Sequence, residues 1–281
     1  MTALTNLSDM VNRLTGGNSG TPEQLWFFVN NRVAGAAAAA TVANRITSLW
    51  EYEKNPGGSG AQPTTSSIPT NATNGGLFQT DPGGGREKWL LGLGASSSVA
   101  GALILYDRLV HMGGLSGTTT TAQTTNLPTT ALTRNTGGVG NQIFVEIYTQ
   151  IGTTATTATV DYKNQAGTLK TSKAFDIGAT NLREAQRIIQ VPLADGDTGV
   201  TTIENFDLLA STGTAGNIGM CIARPLAMIP INSSGAGASL DLISGFPAMV
   251  EIDTDACLAL AFLSQSTTAP IINGQLSMIE S

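Results

Sequence analysis

Gln142-Ile143-Phe144-Val145-Glu146-Ile147-Tyr148-Thr149-Gln150 is rich in β-branched and aromatic residues. Ile143, Val145 and Ile147 fall on one parity, and Phe144, Glu146 and Tyr148 on the other, so the segment reads as a strand with one fully apolar face. Similar segments recur downstream. Thr157 to Lys163 and Thr168 to Ser172 flank Asn164-Gln165-Ala166-Gly167, a four-residue hairpin loop. Asp195 to Gly199 (DGDTG) is a tight turn leading into Val200 to Ile203 and Phe206 to Leu209. Met220 to Ile231, Ala248 to Ile252, Ala256 to Leu263 and Gln275 to Ile279 complete a run of short strands, with one helical turn expected in Asn181 to Gln190. Turn signals at this spacing favour an antiparallel β-sandwich or jelly roll over βαβ units.

Upstream, Lys88 to Met112 holds two apolar runs broken by Gly92, Gly94 and Gly101, which disfavour a continuous helix and point to two buried strands. Asn55 to Gly85 is dominated by Gly, Pro, Ser, Thr and Asn and reads as an irregular arm or linker, and Gly113 to Gly140 is a second, Thr-rich loop. Such segments are either flexible or extended arms ordered by neighbouring subunits. Thr21-Pro22-Glu23-Gln24 combines a cap residue, a proline at the first helical position and a capping-box Gln, so a helix is expected from Pro22 to about Lys54. Its Ala-rich middle, Ala34 to Ala40, allows close approach of a neighbour. Trp26, Phe27 and Phe28 at one end and Trp50 at the other are candidate partner-binding anchors, with packing in the chain's own core as the alternative. The expected fold is therefore mainly β: residues 1–54 a long helical region, 55–87 an extended arm, and 88–281 an antiparallel β domain with a loop at 113–140.

Only 12% of the 281 residues are charged, against about 25% in ordinary soluble proteins, while Gly contributes 33 residues and Thr more than thirty. The surface must be built from Thr, Ser, Asn and Gly, which suits an assembly subunit better than a free enzyme. Fourteen basic residues against twenty acidic ones give a formal charge of −6, which argues against direct nucleic-acid binding. Asn6, Ser8, Asp9 and Asn12 interrupt any secretory h-region, and Asn30, Asn31 and Arg32 interrupt the one stretch long enough to test as a membrane span.

Little in the chain points to catalysis. His111, with Asp107 four residues earlier, is the one histidine available to a nucleophilic device, and a structural histidine explains it better. Gly83-Gly84-Gly85-Arg86-Glu87-Lys88 lacks phosphate-loop spacing, and Gly92-Leu93-Gly94 lacks the third glycine of a dinucleotide fingerprint. Cys221 and Cys257 sit in apolar runs and read as buried free thiols; with a single histidine they assemble no metal site. Glu251, Asp253 and Asp255 alternate along a strand, where they either line a cation site or are solvated edge charges. Asp195 and Asp197 in their turn pose the same choice. No catalytic, cofactor or metal residue is assigned.

The order of helix, Gly/Pro/Thr arm and Thr/Gly-rich β domain, with Leu193-Ala194-Asp195-Gly196-Asp197-Thr198-Gly199-Val200 and Asp255-Ala256-Cys257-Leu258-Ala259-Leu260, resembles virion proteins of tailed bacteriophages, most similar in style to head decoration (cement) proteins. The resemblance implies a non-enzymatic subunit that locks a particle together in the virion after assembly in the host cytoplasm. Its partners would be itself, with a trimer favoured, and the major capsid or other virion proteins, without nucleic acid or membrane. A tail-tube, neck or collar component is the nearest alternative. A carbohydrate-binding β-sandwich would need Trp89, Tyr106 or Tyr148 exposed as sugar platforms.

Overall fold

Alternation in Gln142 to Thr149 has two consequences in the computed structural model, because both faces of that strand are buried. Ile143, Val145 and Ile147 pack outward against a second sheet, whereas Phe144 and Tyr148 turn inward to a separate cluster. A strand buried on both faces belongs to a middle layer.

The structure describes residues 7–15, 21–33, 36–37, 40–243 and 249–280. The first half holds α1 (Leu7–Leu14), β1 (Thr21–Val33), β2 (Ala36–Ala37), β3 (Arg45–Ser48), β4 (Tyr52–Asn55), β5 (Lys88–Ser97), β6 (Gly101–Leu115), β7 (Gln123–Leu127) and β8 (Gln142–Thr149). Then come β9 (Thr156–Asn164), β10 (Leu169–Thr171), β11 (Phe175–Ile177), β12 (Arg187–Gln190) and β13 (Val200–Leu208). The chain ends with β14 (Asn217–Ile231), β15 (Gly237–Asp241), β16 (Val250–Ile252), β17 (Leu258–Ser264) and β18 (Ile272–Glu280).

Six strands close into a barrel in the order β12-β3-β17-β6-β14-β8. A seven-stranded sheet, β15-β5-β18-β1-β2 with β16 on β5 and β4 on β1, covers one side. A five-stranded sheet, β10-β9-β13-β7 with β11 on β9, covers another. The 15-residue strands β6 and β14 run under both covers: Leu103, Leu105, Leu226 and Ile229 pack on the first sheet, and Leu109, Val110, Met220 and Ile222 on the second. Neighbouring strands of the barrel and of both sheets pair antiparallel, as in β1 with β18 and β6 with β14. The expected sandwich or jelly roll is thus replaced by a closed barrel between two sheets.

The long helix expected from Pro22 to Lys54 is not there: the described residues of that span contribute β1, β2, β3 and β4, and α1 is the one helix among the described residues. Leu25, Phe27 and Val29 alternate into the core between β1 and the barrel, and β1 pairs from Thr21↔Glu280 to Val29↔Ile272. A partner some 250 residues away outweighs the local cap signal, because tertiary burial overrides helix propensity. Pro22 is tolerated near the start of a strand that pairs fully on one side. The Ala-rich middle of the expected helix, Ala34 to Ala40, falls partly outside the described residues. The helical turn expected in Asn181 to Gln190 is also replaced, since Arg187–Gln190 bridges β8 and β3 and closes the barrel.

Residues 55–87 pack on the chain's own barrel: Leu77 is fully buried, its amide donates to the Leu258 carbonyl, and Ser67 and His111 exchange backbone hydrogen bonds. Part of the stretch 113–140 is β7 in the five-stranded sheet. From its remainder, Arg134 reaches into the protein.

Candidate functional site

Polar side chains fill the middle of the barrel. Arg108 on β6 is fully buried, and its guanidinium is shared among four partners. Nη2 donates to Glu146 Oε2 at 2.5 Å and to the Tyr148 hydroxyl at 2.6 Å, Nε donates to His111 Nδ1 at 2.8 Å, and Nη1 lies 3.4 Å from the Tyr106 hydroxyl. The Trp50 ring lies 4.4 Å from the guanidinium carbon and meets the His111 ring edge-on at 5.0 Å. A β-bulge makes this possible. Ala223 pairs with Arg108 and Ile222 with Val110, which leaves Leu109 as the extra residue on β6. The parity shift lets Arg108 and His111, three residues apart, face the same lumen.

Burial works to lower the Arg108 pKa, but the Glu146 carboxylate more than offsets it and holds the pKa well above the ordinary arginine value. Burial, reinforced by the Arg108 charge, pushes His111 down to about 2, so its imidazole is neutral and Nδ1 is an acceptor. Tyr106 and Tyr148 are pushed up by burial and stay protonated. Cys221 and Cys257 are free, buried and raised to about 12 by the same desolvation. The one histidine is therefore occupied as a hydrogen-bond acceptor for a structural arginine, and both thiols are held in their unreactive form.

Three further basic groups are anchored inside. Arg134 grips Asp107 through Nε at 2.9 Å and Nη2 at 3.1 Å, and Asp107 also accepts the Cys257 amide. Asp107 thus points to Arg134 and not to His111, which separates the pair that the sequence spacing suggested. Lys54 donates to the carbonyls of Leu49, Trp50 and Tyr52. Lys88 is fully buried between Glu23 at 2.5 Å, Gln79 and the Thr80 carbonyl. Sequence reading missed Arg108, Glu146 and Arg134 as a group. The available signal was a charged residue at an inward position of each apolar strand, Glu146 in β8 and Arg108 in β6.

The four candidate partner-binding residues divide. Phe27 is core and Trp50 lies against Arg108, whereas Trp26 is 74% and Phe28 39% exposed. Strand register places Trp26 beside Gln275, Gly94 and Ser239, and Phe28 beside Asn273, Ser96 and Gly237, on the outer face of the seven-stranded sheet. The result is an aromatic ridge next to a shallow floor of small uncharged residues. Tyr106 and Tyr148, the proposed sugar platforms, are buried, and Trp89 is half-buried.

The acidic strand does not converge. Asp253 pairs with Arg224 at 3.0 Å, and no group of three or more His, Cys, Asp or Glu among the described residues is placed to hold a metal ion. In the turn after β12, Asp197 accepts the Tyr162 hydroxyl and the Asn164 amide, which lower its pKa. Gly92 and Gly94 lie within β5 against β15 and β18, and Gly83 to Gly85 form an open turn. No helix among the described residues is long and apolar enough to cross a membrane.

No family model matches the chain, and no curated protein matches it. Solved structures similar to it include the infectious bursal disease virus VP2 subviral particle, at 9% identity over 93% of this chain and 80% of that one, with a TM-score of 0.20. T=1 particles derived from the same virus match at 8% identity over 93% and 78%, with a TM-score of 0.20. This is a weak likeness to a viral capsid protein, and it transfers neither a family nor a role.

Proposed function

We propose that the chain is a non-enzymatic structural subunit of a virus particle, of the capsid decoration (cement) kind, that associates with itself and with other virion proteins. One observation carries this reading: the chain buries eight of its 34 charged side chains, five of them basic, together with its only histidine. Lys54, Lys88, Arg108, Arg134 and Arg187 are buried together with Glu51, Asp107 and Glu146, so an already charge-poor chain keeps a sparser, more acidic exterior. Such an exterior repels phosphate backbones but opposes protein contacts only weakly. Large apolar side chains remain outside, including Trp26, Phe28 and Leu209, the last 80% exposed. Trp26 and Phe28 are the proposed contacts with a neighbouring subunit, since exposed aromatics dominate interface energetics.

A subunit that binds the assembled particle and not its dissociated parts stabilises the particle by mass action. The test compares particles with and without the protein by the temperature at which they release packaged nucleic acid. Complete particles should release later, and Trp26→Ala with Phe28→Ala should abolish the difference while leaving the free protein's Tm unchanged. Equal release temperatures for particles with and without the protein would refute the cementing role.

A further inference from the structure

Among the described residues the barrel is covered at one end and open at the other. Residues 55–87 cap the Trp50 end, where the indole Nε1 donates to the Ala61 carbonyl at 2.8 Å. In the middle, the Arg108 cluster forms a plug. Beyond it, Tyr106 and Phe144 meet edge-on at 5.6 Å, and past them the lumen opens into a cavity of about 470 Å³. Ile46, Ile104, Phe144 and Ala261 bring walls from four barrel strands, and Ala227 and Met228 on β14 form part of the rim. Apart from Gln142 and Gln190, every lining side chain is apolar, and none is charged. Neither glutamine side chain hydrogen-bonds to another described residue. The volume lies within the roughly 300–1,000 Å³ of small-molecule sites, and barrel mouths are a recurrent place for them.

We infer that this barrel mouth is a binding site for a small neutral amphiphile, a molecule with an aliphatic body and one uncharged hydroxyl or amide end. Burying an aliphatic chain against these walls is favourable in proportion to the area removed from water. The two unspent amides offer both donors and acceptors to a neutral end. A carboxylate or ammonium end would enter an apolar cavity with no counter-charge, which is strongly unfavourable. Met228, 57% exposed and flexible, stands where the ligand must enter and adapts to its shape. The inference is independent of the cementing role, because it concerns the barrel mouth and not the Trp26 face.

The probe is N-phenyl-1-naphthylamine, a neutral fluorophore, titrated into the full chain and displaced by 1-decanol or by decanoate at pH 8. Expected are one saturable site per chain and displacement by decanol at least about tenfold stronger than by decanoate. Ala227→Trp should fill the cavity and weaken probe binding by about tenfold or more with an unchanged unfolding transition. Met228→Trp at the exposed rim serves the same purpose if Ala227→Trp fails to fold. Gln142→Leu combined with Gln190→Leu should weaken decanol by about fivefold, the worth of a hydrogen bond or two. Absence of a saturable site, equal displacement by decanoate, or full binding in both tryptophan variants would overturn the proposal. Loss of particle attachment in Ala227→Trp, without any small-molecule binding to the wild-type chain, would likewise overturn it and make the cavity a seat for another subunit's side chain.

Discussion

Removing one member of the Arg108–Glu146 pair should damage the fold far more than removing both. The two groups are buried and 2.5 Å apart. Glu146→Leu leaves a guanidinium in the lumen with no anion, and Arg108→Met leaves a carboxylate with no cation and unties Tyr148 and His111. Breaking a buried pair from one side costs about 3–5 kcal/mol. Total stability is roughly 5–15 kcal/mol, so either single variant would forfeit much of it. With about 2–4 °C of Tm per kcal/mol in a chain of this size, each should lower Tm by roughly 6–20 °C. In the double variant no charge remains to be desolvated, and replacing a buried pair by apolar residues is often neutral or stabilising by about 1–4 kcal/mol. Urea unfolding, followed by the fluorescence of Trp50 beside the guanidinium and by circular dichroism, completes the double-mutant cycle. Single variants costing less than about 1 kcal/mol, or a double variant equal to the sum of the singles, would refute the view that these charges hold each other in place.

His111 should keep its neutral imidazole, with no NMR titration between pH 8 and 4. Its folded pKa of about 2 lies below the ordinary 6.5, so the unfolded chain takes up the proton first and stability falls as pH drops below about 6.5. At roughly 1.4 kcal/mol per pH unit, about 2 kcal/mol should be lost between pH 7 and 5, a loss that His111→Asn should remove. Cys221 and Cys257 should be inert to a disulfide-exchange reagent at pH 8 in the native protein and both react in guanidinium; fast native labelling would contradict the buried barrel. Gly75→Ala should be among the most damaging single-methyl changes, because its φ is +104° and a Cβ there would sit 2.4 Å from the Trp50 ring. Hydrogen exchange should show that variant loosening residues 55–87 before the two outer sheets.

Strand identity in the C-terminal half was legible where local chemistry decides it. Asn164 both ends β9 and folds its side chain over the hairpin, accepting the Ala166 and Thr168 amides, with Gly167 at φ +73°. The alternation in Gln142 to Thr149 likewise announced its two faces. What the sequence concealed is nonlocal. Thr21 to Val33 carries both a helix cap and a strand alternation, Phe27 and Val29 inward against Trp26 and Phe28 outward, and only the pairing with β18 decides between them. Barrel closure depends on the four residues Arg187–Gln190, too few to show a period. The interior cluster was invisible for a related reason: the Leu109 bulge shifts parity between Arg108 and His111, so no regular spacing brings them together. Asp107, four residues before His111, instead faces Arg134 from a stretch that composition marks as loop.

The same plug that hides chemistry gives the barrel its polarity. The alternation of buried faces forbids a one-residue slip, but a two-residue slip keeps every side chain on its own face and would be opposed in an all-apolar lumen by side-chain fit alone. Arg108 has fixed donor directions, and its partners come from β6, β8 and the turn after β3, so the guanidinium is satisfied in one register only. A buried polar group can set register without adding stability, as a single buried asparagine does in coiled coils. Fixing that register sets the two ends apart: the Trp50 end takes the 55–87 segment, because Gly60 and Gly75 leave room for the indole. The Phe144 end has no such cover among the described residues and keeps its apolar walls open. A chain with few charges has thus used several of them to orient its core, and that choice leaves its exterior poorer in basic groups.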